Sequence, residues 1–354
     1  MNIRKKFLQL TSKTYPHGTE DQLKKQLPKG YKEDGFGNFY IEVGSNSSTM
    51  FTCHLDTADR QQKVVRHIID GDIIKTDGSS ILGADDKAGM TVMLNMIEKE
   101  VPGLYYFFIG EERGCVGSSR LSRNWKSSEF SNRITKCISF DRRGTDSVIT
   151  EQLYGVCCSI GFAKELSNRL NSTKYDLKYS PDPTGIYTDS AQFTTLIPEC
   201  TNISVGYYNE HTHSEKQDIK HLEKLSKAVC EIDWETLPIL RNDLTEYNFE
   251  YVEDEWNVSD DEGFQTHNFT WVNHNGKTSK MMISDKQINK EKETINNWLK
   301  STGNDYFLDL TWDGQTLYGA SCSGSYEMIA TRNDLMDYIS ELSEIPINHL
   351  KSFV

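Results

Sequence analysis

The chain has no C-x-x-C pair, no excess of basic residues and no long apolar run, and each absence removes a class of function. Its eight cysteines (53, 115, 137, 157, 158, 200, 230 and 322) are scattered. They read as reduced, mostly buried thiols and argue against a zinc–thiolate site. A net charge of −13 argues against nucleic acid, which requires a basic face. The longest apolar runs, such as Leu104–Ile109, fall far short of the roughly 20 residues a membrane helix needs. The opening MNIRKKFLQLTSKTYPHGTED returns to charge and polarity at once, which predicts no signal peptide and a cytoplasmic protein without a membrane partner.

What is present is a globular composition: 354 residues, 36% hydrophobic and 26% charged, enough for one large core and a smaller domain. The first thirty residues predict a surface helix carrying Phe7, Leu8 and Leu10, then a second helix from about Thr19 that Pro28 and Gly30 end. YKEDGFGNFYIEVG has the turn chemistry of a hairpin. GDIIKTDGSSIL reads as a strand and turn, followed by a helix from about Lys87 to Glu100 with a stripe at 90, 93, 94 and 97. Helices are also expected over about 162–171 and 218–231. From Asp243 to Glu262 there are nine acidic residues and no Lys or Arg, as in a solvated linker. Beyond it, Ser284–Lys300 and Asp334–Leu342 read as helices, and FLDLTWDGQTLYGA as a hairpin.

The predicted fold is α/β, a mixed and mainly parallel sheet sandwiched by helices, with a small α+β appendage at the C-terminus. The predicted divisions are a catalytic domain over 1–240, an acidic linker over 241–280 and a small domain over 281–354.

Four strand-like segments end in residues that bind metals. STMFTCHLDT closes on His54 and Asp56, LYYFFIG runs into Glu111 and Glu112, CISFD ends at Asp141, and TNISVG leads to YYNEHTHSE. In open α/β sheets ligands bind at the carboxyl ends of strands. Between the first two, SSILGADDKA places Asp85 and Asp86 at a helix start. Two divalent ions about 3.5–4 Å apart activate water and polarise a carbonyl together, and they require one shared carboxylate. Asp85 can bridge, His54 with Asp141 can serve one ion, and Glu112 with a histidine near 211 the other. Asp56 lies two residues beyond His54 on the same side of an extended chain, where it can orient the imidazole. Glu111 is left to move a proton. Such ligands suit Zn²⁺, with Co²⁺ or Mn²⁺ as further options.

The order H-x-D, GADDKAG, GEE, FD and H-T-x-x-E resembles the co-catalytic metallopeptidases of the M20/M28/M42 type, which include peptidase T and bacterial aminopeptidases, over about residues 1–235. The resemblance implies that Asp85 bridges, Asp56 orients His54, Glu111 is the base and Glu112 and Asp141 bind metal. It also implies a cis peptide between Asp85 and Asp86. The family pattern has Glu four residues after its last histidine, which favours His211 over His213 because Glu215 then falls in place. His221 reads as a solvated helix residue, and His17 as a histidine without a supporting partner. Tyr187, Asp189 and Ser190 lie where relatives line the substrate pocket. About seventy residues separate Asp141 from His211, leaving no room for the inserted domain of many relatives, so a more open site is expected. The implied reaction is hydrolysis of a peptide next to a free amino terminus. A deacylase on the same scaffold and a non-catalytic binding protein are the alternatives. Oligomeric state is not legible.

Overall fold

A computed structural model describes residues 1–152, 155–241 and 244, together with the backbone of five strands between 266 and 331. The chain divides into two compact units, Met1–Thr245 and Glu246–Val354.

The first unit is built on an eight-stranded sheet in the order β1-β2-β6-β3-β7-β12-β8-β11. Its strands are β1 (Lys32–Glu33), β2 (Phe39–Val43), β3 (Thr49–His54), β6 (Gly103–Phe108), β7 (Lys136–Arg142), β8 (Ser147–Ile149), β11 (Ser180–Asp182) and β12 (Glu199–Ser204). The central four, β6, β3, β7 and β12, run parallel. The expected hairpin is the antiparallel pair β1–β2, with Lys32 opposite Tyr40. A second sheet, in the order β13-β14-β5-β4, joins β4 (His67–Asp70), β5 (Ile73–Thr76), β13 (Tyr207–Tyr208) and β14 (Lys216–Asp218). A short pair, β9 (Glu151–Gln152) with β10 (Gly155–Val156), completes the strands of this unit.

The central strands are buried almost throughout because both faces are covered, the usual condition of parallel sheets. Side chains alternate between two cores. Phe51, Cys53, Tyr105, Phe107, Ile138 and Phe140 enter one core, whereas Met50, Leu104, Tyr106, Phe108 and Cys137 enter the other.

On the first face lie α1 (Ile3–Leu10), α2 (Ala84–Glu98) and α5 (Ile219–Ala228), with α2 packed on β3, β7, α1 and α5. The other α-helices among the described residues are α3 (Val116–Arg123) and α4 (Ile160–Ser172). The expected single stripe on α2 is corrected: Ala84 to Met96 are all buried, so the helix has no wet face over that length. The segment after Thr19 is a 3₁₀ helix, Glu20–Gln26. Gly89 lets α2 approach the sheet, because a Cβ there would lie 2.1 Å from the Phe140 carbonyl oxygen.

His221, expected to be solvated on its helix, is instead buried. Its Nε2 lies 2.8 Å from the Tyr179 hydroxyl. That hydroxyl donates to the Ser204 carbonyl at 2.6 Å, so the histidine supplies Nε2–H to the phenol oxygen. Burial lowers its pKa to about 4. Unfolded, the ring titrates near 6.5, so stability is fully present above that pH and is lost as pH falls towards 4. The loss is about 3 kcal/mol. Urea midpoints at pH 7 and pH 4 should therefore differ less in His221→Gln than in the wild type; an equal difference would reject the assignment.

In the second unit, β15 (Thr266–Val272) pairs with β16 (Thr278–Ser284), and β17 (Asp309–Trp312), β18 (Thr316–Ala320) and β19 (Tyr326–Thr331) form an antiparallel sheet. The pair β17–β18 is the hairpin expected from FLDLTWDGQTLYGA. Ser284 closes β16, and the rest of the helix expected to Lys300 lies outside the described residues, as do the helix at Asp334–Leu342 and all but residue 244 of the acidic run. Among the described residues no helix is long and apolar enough to cross a membrane.

Candidate metal centre

The parallel strands deliver their carboxyl ends to one place. His54 is the last residue of β3, Asp141 lies one residue from the end of β7, and Glu111 and Glu112 share a 3₁₀ turn just beyond β6. Asp85 enters from the first turn of α2, and His211 from the loop after β13. The Asp85–Asp86 peptide is cis.

The two oxygens of Asp85 face different groups. Oδ1 is 2.8 Å from His54 Nε2, which is itself 3.7 Å from Asp141 Oδ1. Oδ2 is 3.2 Å from His211 Nε2, which is 3.0 Å from Glu112 Oε2. Two of the four groups of ligand-type atoms among the described residues share this carboxylate, His54–Asp85–Asp141 and Asp85–Glu112–His211; the others are His54–Glu111–Glu112 and His17–Glu20–Asp56. His213 is exposed and belongs to no such group among the described residues.

Neighbouring side chains fix these groups. Asp56 stands 3.4 Å from His54 Nδ1 and also accepts the backbone N–H groups of Glu111 at 3.0 Å and Glu112 at 3.1 Å. Asp141 accepts from the Thr188 hydroxyl at 2.6 Å and the Tyr207 hydroxyl at 3.1 Å. The Asn202 amide brackets its backbone N–H and C=O. Glu215 accepts the N–H groups of Leu82, Gly83 and Asp85 at 2.8, 2.8 and 3.1 Å, joining the loop of His211 to that of Asp85. Beneath the site, buried Lys87 donates to the carbonyls of Leu55 and Asp56.

Residues 40–232 match the model of peptidase family M28. The chain belongs to this family. It is accordingly a metallopeptidase. Over 100 residues it is 36% identical to the uncharacterized protein YqjE of Bacillus subtilis (strain 168), a match spanning 25% of this chain and 27% of that relative's length. The aminopeptidase PepT from Bacillus cereus ATCC 10987 superposes with a TM-score of 0.53 at 18% identity, covering 64% of this chain and 96% of that structure. A tripeptidase from Staphylococcus aureus subsp. aureus Mu50 superposes with a TM-score of 0.51 at 18% identity, covering 65% and 96%. At those identities the likeness is one of fold.

The residues present fit the metal dependence of the M28 family. Burial and neighbouring carboxylates push Glu111 up. Glu112 and Asp141 are raised for the same reasons, partly opposed by their histidines. Burial disfavours charge on His211, yet hydrogen bonds to Asp85 and Glu112 override it and raise the ring to about 12. Without cations the cluster thus retains protons that a divalent ion would displace. Glu112 Oε1 is buried and has no hydrogen-bond partner.

A cleft of about 170 Å³ opens beside the cluster, with Asp85, Glu111, Asp141, His211 and Tyr187 in its walls. Glu112 is not among its lining residues. Of the three residues read from the sequence as pocket-lining, only Tyr187 is there. Asp189 is buried against Ser118, and buried Ser190 donates to the Thr201 carbonyl, because their 3₁₀ turn packs under β7 and β12. His17, read as having no partner, bonds Glu20 at 2.7 Å.

Thr188, Asn202 and Tyr207 were not singled out from the sequence. The available signal was their position in the segments leading towards His211. For Glu215, replacement by Gln is expected to cost about 2–3 kcal/mol, since an amide cannot accept from all three N–H groups. The denaturation midpoint and metal affinity should fall together; unchanged metal affinity would limit Glu215 to a stabilising role.

Proposed function

We propose that this metallopeptidase removes residues from the free amino terminus of peptides, using two Zn²⁺ ions and Glu111 as general base. The observation that carries this reading is the division of labour around Asp85. One carboxylate serves two triads, while Glu111 lies in the cleft wall outside both and beside them, grouped with His54 and Glu112 and 3.9 Å from His54 Nε2.

In this reading His54, Asp85 and Asp141 hold one ion and Asp85, Glu112 and His211 the other, with Co²⁺ and Mn²⁺ also suited to the donor set. The bound ions supply an acidified water and a polarised scissile carbonyl. Glu111 takes the water's proton on its carboxylate as the oxygen adds to the carbonyl carbon. It then gives that proton to the leaving nitrogen as the C–N bond breaks. Asp56 keeps His54 oriented and the Glu111 turn in place. Tyr187 lines the side on which substrate lies. The seven described cysteines are free thiols, six of them buried, which supports a reducing compartment, the cytoplasm.

The test uses zinc-loaded protein and one short peptide in two forms, with a free or an acetylated amino terminus. Release of amine from the free form alone is the expected result. Cleavage of the blocked form would make the protein a deacylase or carboxypeptidase instead.

A further inference from the structure

Two arginines line the same cleft, directly after Asp141, and they differ in what they already hold. Arg142 is committed: Nη2 donates to the Thr184 carbonyl at 3.0 Å and hydroxyl at 2.9 Å, with Asp182 3.7 Å away. Arg143 has one partner, Glu210 Oε1, 3.2 Å from its Nη1, and its side chain is 56% exposed. A guanidinium carries five N–H donors in a fork that fits a carboxylate. Most of that capacity is unused here.

The position fits a short substrate. Arg143 follows Asp141 by two residues, so their Cα atoms lie within about 7 Å. Its partner Glu210 immediately precedes His211, on the other side of the cluster. An extended peptide advances about 3.3–3.6 Å per residue. With its scissile carbonyl at the cluster, a dipeptide or tripeptide therefore ends within reach of the Arg143 side chain. The wall also holds the carboxylates of Asp85, Glu111, Asp141 and Glu210, so a substrate carboxylate is accepted at its arginines, and of these Arg143 is the one with donors to spare.

We propose that Arg143 binds a carboxylate of the substrate, its C-terminal one in a short peptide, by exchanging Glu210 for it. The proposal rests on the peptidase reading above.

The experiment measures calorimetric binding to zinc-loaded Glu111→Gln protein. The ligands are Ala-Ala-Ala, its C-terminal amide, and Ala-Asp-Ala amide, and wild-type turnover of all three runs in parallel. The acid should bind about tenfold or more tightly than its amide, as for a charged hydrogen-bonded contact at a partly exposed site. Adding Arg143→Gln should bring that ratio near unity, Arg143→Lys should restore part of it, and Glu210→Gln should widen it by removing the competitor. Arg143-dependent tightening confined to Ala-Asp-Ala amide would keep the carboxylate contact and assign it to a side chain. Equal affinity for acid and amide, or equal weakening of all three ligands by Arg143→Gln, would overturn the proposal. Cleavage without Arg143-dependent binding leaves the peptidase reading standing and removes this one; Arg143-dependent binding without cleavage does the reverse.

Discussion

Glu111→Gln is expected to lower kcat by about 10²–10⁴-fold, the range a positioned acid–base group contributes, while metal content stays at the wild-type level. The substitution keeps the side chain's shape and removes only its capacity to carry the proton. It leaves the turn intact, because Asp56 holds residues 111 and 112 through their backbone N–H groups. Only Glu111 of this Glu-Glu pair lines the cleft, so Glu112→Gln should differ in kind, losing metal as well as rate. Paired assays of turnover and bound metal by mass spectrometry separate the two. If Glu111→Gln retained more than a tenth of the wild-type kcat, the base would have to be sought elsewhere. If it lost metal, Glu111 would be a ligand.

Asp85→Asn should have an equally large effect through a different quantity. A carboxylate offers two oxygens, here turned towards His54 and Asp141 on one side and His211 and Glu112 on the other. An asparagine offers one, with an N–H₂ on the opposite face that repels a cation. Metal content after dialysis should therefore fall from about two ions per chain to below one, with turnover lost. Asp141→Asn, which touches one triad, should leave about one ion. Equal losses in the two variants would mean that Asp85 is not shared.

The sequence displayed the parts of this site that short motifs encode. His54, Asp85, Glu111, Glu112 and Asp141 each sit at a strand end or helix start that local patterning marks, so a linear reading finds them. What supports them is not local. Thr188 reaches Asp141 from 47 residues away and Tyr207 from 66, and nothing in either neighbourhood announces that contact. His221 misled for the same reason. Its own helix reads as amphipathic, and the phenol that buries it comes from Tyr179, 42 residues earlier. The continuous burial of α2 was hidden because small and polar residues, among them Lys87, Gly89, Thr91 and Asn95, stand beside its apolar ones, and only packing shows that they are covered. The 3₁₀ form of Glu20–Gln26 likewise depends on hydrogen bonds that composition does not specify.

The hydrogen bonds of Asp56 have a mechanical meaning. One buried anion faces the ring at the end of β3 and accepts the two N–H groups at the turn after β6, so these pieces are joined as one body. Glu215 makes a second such body from the Asp85 loop and the segment carrying His211. Thr188, Asn202 and Tyr207 make a third around Asp141. The centre is then three pre-assembled parts meeting at Asp85, and its alignment depends on how those parts dock more than on any one side chain's rotamer.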